Sequence, residues 1–410
     1  MLTLTKKTIL IVSAVYVPVS YYLYRPVFID MKILKLFYYI MLFVIISMLF
    51  IKKKRLPLTT SFNNSLKFVV GSIAFSIIPA YLIWKQNIII TLIATLPYLG
   101  YLFYFFLLKF KLDVSRLEKV TLIISVVTTV LLINAILIYP DVLYGGNPDD
   151  EIRVDRGFAR ITIAGVGFIF LGFFISINKY SINGSIKWLL LGMYFLVGVF
   201  LTLTRQSIVS CLLIGVIYLL ISRKKLILRI LIIICFILGG ILIVKLSFVD
   251  NLITETRAQS EVYNDNIRLL SAKYFLFDFS PSEFSTFFGN GEAATQKSVY
   301  GDFIKRLKDQ GLYQSDVGII GYYAKFGVIG VVAWIFIFWR AISIKLPKEY
   351  YYTKLYIIFI AITCLTSSTF FNIDYISSIC ITLYIADITS SKKNMFNKFQ
   401  KMDYLTQVGR

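Results

Sequence analysis

Apolar residues run almost unbroken for about twenty positions at a time through most of this chain, and short clusters of charge separate the runs. In order they cover roughly 8–24, 33–51, 67–84, 88–108, 119–139, 160–177, 186–203, 206–222, 226–246, 328–344, 354–369 and 373–389. Each is near the ~20 residues a helix needs to cross hydrocarbon, so the pattern predicts about twelve transmembrane helices. One long polar stretch, from about Ser247 to Lys325, stands apart. Ten acidic and seven basic residues fall between Asp250 and Asp316, interleaved with aromatics such as Tyr274, Phe275, Phe287, Phe288 and Tyr313. A disordered linker would lack the aromatics needed to bury surface, so this stretch predicts a compact lobe held between two spans.

The tenth span decides where the lobe ends. If Val317 to Trp339 formed one helix, Lys325 would lie deep in hydrocarbon at a cost of ~3 kcal/mol. A break at Gly327 avoids this by ending a short interfacial helix that runs from about Gln314 to Phe326, and Val328 to Ile344 then suffices as the span. Asp316 and Lys325 both stay at the membrane surface on this reading. The predicted organisation is spans one to nine over 1–246, the lobe with its interfacial helix over 247–327, spans ten to twelve over 328–389 and a tail over 390–410.

Composition fixes the class. The chain is 58% hydrophobic and 16% charged over 410 residues, with mean hydropathy +0.76, far from the usage of soluble domains. The fold class is an all-α polytopic membrane protein, and Thr8 to Tyr24 reads as a retained first span. Charge then orients it. Lys52 to Arg55, Lys109 to Lys119, Arg223 to Arg229, Arg340 to Lys354 and Lys392 to Lys401 alternate with acidic or mixed connections. The positive-inside rule places these basic connections and both termini in the cytoplasm, and the lobe with Asp141 to Arg160 outside. A net charge of +21 is accounted for by this lysine-rich face beside anionic lipid, and nucleic acid is excluded as a partner. Cys211, Cys235, Cys364 and Cys380 all sit inside apolar runs, there is no histidine, and the sequence calls for no cofactor and no metal.

Three outer constellations could carry chemistry. Arg205 opens the tightest outer hairpin, Thr202-Leu203-Thr204-Arg205-Gln206, as either a snorkelling interfacial arginine or an anion clamp whose planar fork matches phosphate oxygens. Arg153, Arg156 and Arg160 would share one face if their segment were helical, though pairing with Asp149, Asp150, Glu151 and Asp155 explains them as well. Arg268 and Asp316 bracket the lobe, where a charged pair is ordinarily a solvated surface feature and otherwise an acid–base or clamp site.

Order and spacing add a resemblance. The Arg205 hairpin, a long outer loop with an arginine near its start, Phe287-Phe288-Gly289-Asn290-Gly291, Ser315-Asp316-Val317-Gly318-Ile319-Ile320-Gly321 and Phe326-Gly327-Val328-Ile329-Gly330 together resemble the O-antigen ligase and polymerase superfamily. The resemblance covers the second half of the chain. It implies a GT-C-like, metal-independent, inverting glycosyltransferase of a bacterial plasma membrane, with an undecaprenyl-pyrophosphate-linked glycan as donor. Arg205 and Arg268 would be the pyrophosphate clamps, Arg156 or Arg160 a further contact, and Asp316 the general base, with Asp302, Asp309 and Asp374 next in line. Tyr313, Asn290 and Lys325 would touch substrate. The WaaL-type ligase branch carries a histidine where Asp316 stands, so a chain without histidine resembles a Wzy-type polymerase more closely. The implied partners are the lipid-linked donor and acceptor, the lipid bilayer and a chain-length regulator protein. The product would be O-antigen, capsule or exopolysaccharide. A ligase acting on a lipid A-core acceptor, a glycan flippase and a scaffolding membrane protein remain the alternatives, although no internal repeat supports a transporter.

Overall fold

Helices form on the apolar runs because within hydrocarbon an α-helix satisfies every backbone group inside its own segment. The computed structural model describes residues 5–51, 60–139, 141, 143–144, 153–155, 158–161, 163–222, 264–295 and 298–408; the expected ninth span, 226–246, lies outside them. In chain order the helices are α1 (Lys6–Ser20), α2 (Met31–Phe50), α3 (Asn63–Phe75), α4 (Ile77–Leu82), α5 (Ile88–Thr95), α6 (Leu102–Phe110) and α7 (Val114–Leu137). Two strands follow, β1 (Arg153–Asp155) and β2 (Phe158–Arg160), then α8 (Gly167–Asn183), α9 (Ile186–Leu201) and α10 (Arg205–Ser222). The remainder comprises α11 (Asn264–Lys273), α12 (Glu283–Phe288), α13 (Val299–Asp309), α14 (Ile319–Ser343), α15 (Tyr351–Thr363) and α16 (Ile373–Val408).

Among the described residues, seven segments are long and apolar enough to cross a membrane: Met31–Phe50, Asn63–Leu82, Ile88–Phe110, Val114–Leu137, Arg205–Ser222, Ile319–Ser343 and Ile373–Ser390. The protein is thus a helical, multi-pass membrane protein. Helices α1, α8, α9 and α15 fall on other apolar runs but are shorter, at 15, 17, 16 and 13 residues. Two helices form the interior. Every residue from Gly167 to Asn178 of α8 is buried, as is 94% of the apolar window of α16. Small residues let α8 pack closely on its neighbours: a Cβ on Gly167 would overlap the Ser378 hydroxyl of α16, and one on Gly172 would overlap Ser125 of α7 and Phe195 of α9. Lipid supplies no hydrophobic drive between helices, so close contact and hydroxyl bonds hold the bundle, including Ser20 to Ser377 at 2.5 Å and Tyr356 to Ser378 at 2.6 Å.

Several elements depart from the sequence reading. Helix α1 stops at Ser20, and Tyr22, Leu23, Tyr24 and Arg25 all have positive φ, of 61, 52, 64 and 51°. Such a left-handed turn costs L-residues about 1–2 kcal/mol each. The run read as 354–369 is helical only to Thr363, because the Ser367 hydroxyl bonds back to the Thr363 carbonyl (2.7 Å) and to Thr369 (2.6 Å), local bonds that compete with continued helix. The arginine segment is not a helix with a shared face: β1 pairs antiparallel with β2, with Arg153 opposite Arg160. Only two residues separate the strands in sequence, the commonest hairpin length. The final helix runs on to Val408, past the expected boundary at 389.

The lobe folds around an aromatic core of Phe275, Phe279 and Tyr300, with Ile304, Leu307, Leu312 and Val317. Its central ring comes from elsewhere. Trp84, on the connection between α4 and α5, stacks on Tyr300 at 4.6 Å, Phe303 at 5.1 Å and Phe279 at 5.7 Å. Gln86 on the same connection accepts from the Ala294 amide (2.9 Å) and the Ser298 hydroxyl (2.6 Å) and donates to the Glu292 carbonyl (2.9 Å). Burial holds the Tyr300 phenol well above its ordinary pKa, with nearby Glu292 adding to the effect, so it stays a donor to the Gly291 carbonyl at 3.3 Å.

The lobe meets the membrane helices at a break. Inside α14, Gly327 has φ 74 and ψ 179°, as the cost of burying Lys325 led one to expect, and the stretch before it is a 3₁₀ turn over Gln314–Val317 and α-helix from Ile319, divided at Gly318. A break frees carbonyls, and the Gly289-Asn290-Gly291 turn satisfies them. The Asn290 backbone and side-chain amides donate to the Ala324 carbonyl (3.2 and 2.9 Å), and the Gly291 amide donates to that of Lys325 (2.8 Å).

Candidate functional site

At one end of the bundle, four segments surround a cavity of about 180 Å³. Ile161 and Ile163, which follow β2, and Val166 and Phe170 around the start of α8 give it an apolar floor. The α9–α10 turn contributes Thr202, Thr204 and Ser207, and the α15–α16 connection contributes Ser367, Ser368 and Thr369. Asn372, Asp374 and Tyr375 complete it. Six serine and threonine residues and Tyr375 thus line a recess that is small beside the ~300–1,000 Å³ of sites enclosing drug-sized ligands, a size that suits a single headgroup or sugar.

The two polar walls are fastened together by Gln206, which donates to the carbonyls of Ile362 (3.1 Å) and Thr363 (3.2 Å) and accepts from Thr366 (2.5 Å). These carbonyls close the last turn of α15, where they also accept the Leu365 and Ser367 amides. Leu203, at φ 51°, reverses the chain so that Arg205 opens α10 between cavity-lining Thr204 and Ser207. Arg205 is half-buried, and its Nη2 is buried with no hydrogen-bond partner among the described residues. A buried guanidinium nitrogen left without an acceptor forfeits about 1–3 kcal/mol.

Asp374 is 4% exposed in the first turn of α16. Its Oδ1 accepts from the Gly165 amide at 3.3 Å and faces Arg25 Nη2 at 3.9 Å. The carboxylate therefore lies at the N-terminal ends of both α8 and α16, where helix dipoles favour negative charge. Arg25 reaches it from the left-handed turn after α1.

The residues singled out from sequence fall into three groups. Arg205 adjoins the cavity in the chain, next to lining Thr204, and is not itself part of the lining. Arg268 and Asp316 are exposed on adjacent parts of the lobe: α11 packs on the turn Gln314–Val317, where Asp316 accepts from the Ser315 hydroxyl at 3.0 Å. That turn reaches the cavity wall indirectly, since Gly318 packs on Cys364 and Leu365 and the Ile319 amide donates to the Cys364 carbonyl at 2.8 Å. Tyr313 is 38% exposed beside it. Asn290 and Lys325 form the third group, inside the junction of lobe and membrane helices. Asn290 is fully buried, accepting from the Trp84 indole (2.8 Å) while its amide donates to Ser280 (3.1 Å) and Ala324. Lys325 pairs with Glu292 at 2.7 Å. Arg160 lies on β2, which leads to the Ile161 wall of the cavity, and Arg156 is outside the described residues.

Sequence reasoning missed Arg25, Trp84 and Gln86, and it ranked Asp374 only as a fallback. One signal was available: Thr366-Ser367-Ser368-Thr369 places four hydroxyls in a row between two apolar runs. Cys211, Cys364 and Cys380 are buried free thiols. No group of three His, Cys, Asp or Glu side chains gathers to hold a metal among the described residues. The fold and the recess define a helical membrane protein with a hydroxyl-lined, arginine-flanked site at one end of its bundle. No family model and no curated protein matches the chain.

Proposed function

We propose that the protein is a membrane-embedded glycosyltransferase that polymerises polyprenyl-pyrophosphate-linked oligosaccharide units at the outer face of the plasma membrane. The observation that carries this reading is Arg205, which follows Thr204 of the recess in the chain and whose buried Nη2 lacks a partner among the described residues. As an anomeric carbon–oxygen bond breaks, charge grows on the departing pyrophosphate. A fixed guanidinium with an unused N–H is preorganised to meet that charge, and the hydroxyls of Ser207 and Ser368, which no hydrogen bond ties among the described residues, can donate to the remaining oxygens. The recess takes only the reacting end, leaving the lipid and the rest of the glycan outside. An acceptor hydroxyl attacking directly inverts the anomeric centre, and its proton requires a carboxylate; Asp316 on the lobe and Asp374 in the cavity are the candidates.

The test is transfer by the full chain reconstituted in lipid nanodiscs with an undecaprenyl-pyrophosphate-linked repeat unit. Arg205→Lys keeps the charge and loses the fork, and is expected to cut elongation by about a hundredfold or more while protein level and melting temperature hold. Arg268→Lys, in the same assay, measures the contribution of the lobe. Normal polymer length in Arg205→Lys would remove the clamp and with it the reason for the proposal.

A further inference from the structure

We infer that Asp374 is the base of this transfer, taking the proton of the acceptor hydroxyl, and that Arg25 is the residue that positions it; the inference rests on the cavity being the donor site.

Among the described residues, Asp374 is the one carboxylate in the cavity lining. Both of its protein contacts, the Gly165 amide and Arg25, engage Oδ1, so Oδ2 has no donor among the described residues. A group anchored through one oxygen and open at the other is arranged to accept a proton. Asp316, by comparison, is exposed and already takes the Ser315 hydroxyl.

The approach of Arg25 is made at a cost. Four consecutive L-residues, Tyr22 to Arg25, hold positive φ. Backbone strain of this kind persists only where the surroundings over-determine it, and it gathers at functional sites. Here the surroundings are visible. The Tyr24 hydroxyl accepts from Tyr21 and Thr128, both at 3.2 Å, and beyond Arg25 the chain is tied by a bridge from Pro26 to Tyr144 and by the Val27 amide donating to Leu143 at 3.0 Å. Gly165, at φ 81°, has room for no Cβ because the Tyr21 ring occupies that space. Tyr21, just before the turn that delivers Arg25, thus packs on the residue whose amide holds the same oxygen of Asp374.

In the step itself, the acceptor oxygen bonds to the anomeric carbon and the bond from that carbon to pyrophosphate breaks. The electron pair leaves with the polyprenyl pyrophosphate, and the hydroxyl proton passes to Asp374 Oδ2. Water takes it up after release of product.

The experiment uses the full chain in nanodiscs and measures donor affinity and kcat separately. Asp374→Asn should bind the lipid-linked donor within about threefold of wild type and transfer it at a hundredth of the rate or less, the low end of what losing a general base costs. Arg25→Gln should lower kcat about tenfold with donor affinity unchanged, a split that a purely structural ion pair would not produce. A normal kcat in Asp374→Asn, a loss of donor binding with it, or loss of transfer in Asp316→Asn alone would each overturn the assignment. Should Asp374→Asn fail to accumulate, Arg25→Gln decides, and an unchanged kcat there is fatal. Wild-type protein that neither binds nor elongates the donor would refute the polymerase reading itself, whereas active Asp374→Asn refutes only the base.

Discussion

Lys325 shows how a residue chosen for chemistry can serve architecture. Its ammonium meets Glu292 at 2.7 Å, donates to the Tyr98 hydroxyl at 3.3 Å and lies over the Tyr98 and Phe371 rings at 5.7 and 5.5 Å. The two side chains are 13% and 22% exposed, so removing one charge strands the other in a poorly solvated place. Lys325→Met is expected to lower the melting temperature, and Glu292→Gln with Lys325→Met to recover more than half of that loss. A double variant no more stable than the single one would return Lys325 to a role in binding substrate. At this scale the sequence drew attention to Arg205, because an arginine in a two-residue gap between apolar runs has few places to go. It named Asp374 only after Asp316, since an aspartate at the head of an apolar run gives no sign of its neighbours, the Gly165 amide and Arg25. Because the cavity holds a single carboxylate, transfer should also persist in excess chelator, and activity restored only by magnesium or manganese would contradict the site as described.

The elements were legible where hydrocarbon sets the rule. The break in α14 followed from the cost of burying Lys325, and the structure puts it at Gly327 with φ 74 and ψ 179°, a region closed to other residues. What the sequence did not show is the second glycine. Gly289, at φ 84°, sits so close that a Cβ would overlap the Lys325 carbonyl, and a Cβ on Gly327 would overlap that of Phe287. Either substitution to alanine should therefore cost upward of about 2 kcal/mol and lower the melting temperature sharply. Gly71 in α3, with open space around its Cβ position, makes the comparison: Gly71→Ala should be neutral. Equal melting temperatures for Gly327→Ala and Gly71→Ala would mean the break is not held as described. The three-residue strands at 153–160 were illegible for a different reason, since segments that short carry no period and arginines suit either structure.

For the whole molecule, apolar runs revealed that there are helices but not which of them form the interior. Lipid is as apolar as leucine, so hydropathy alone cannot separate the fully buried stretch of α8 from the lipid-facing sides of α2, and only its contacts with serines and glycines do. The orientation argued from lysine clusters is open to measurement: a reporter fused after Lys54 or Lys393 should read cytoplasm, and one inserted near Gly291 should read outside. An inward-facing lobe would defeat both the topology and the lipid-linked donor. One feature couples the ends of the polypeptide in time as well as space. The lobe cannot close its aromatic core without Trp84, which is synthesised nearly two hundred residues before Phe275. Folding of the lobe therefore waits on a template laid down by the first spans, and a fragment beginning after Trp84 would expose Phe279, Tyr300 and Phe303 to water and aggregate. Supplied separately in the same membrane, the amino-terminal spans should act on that fragment as an intramembrane chaperone, restoring a protease-resistant lobe in trans.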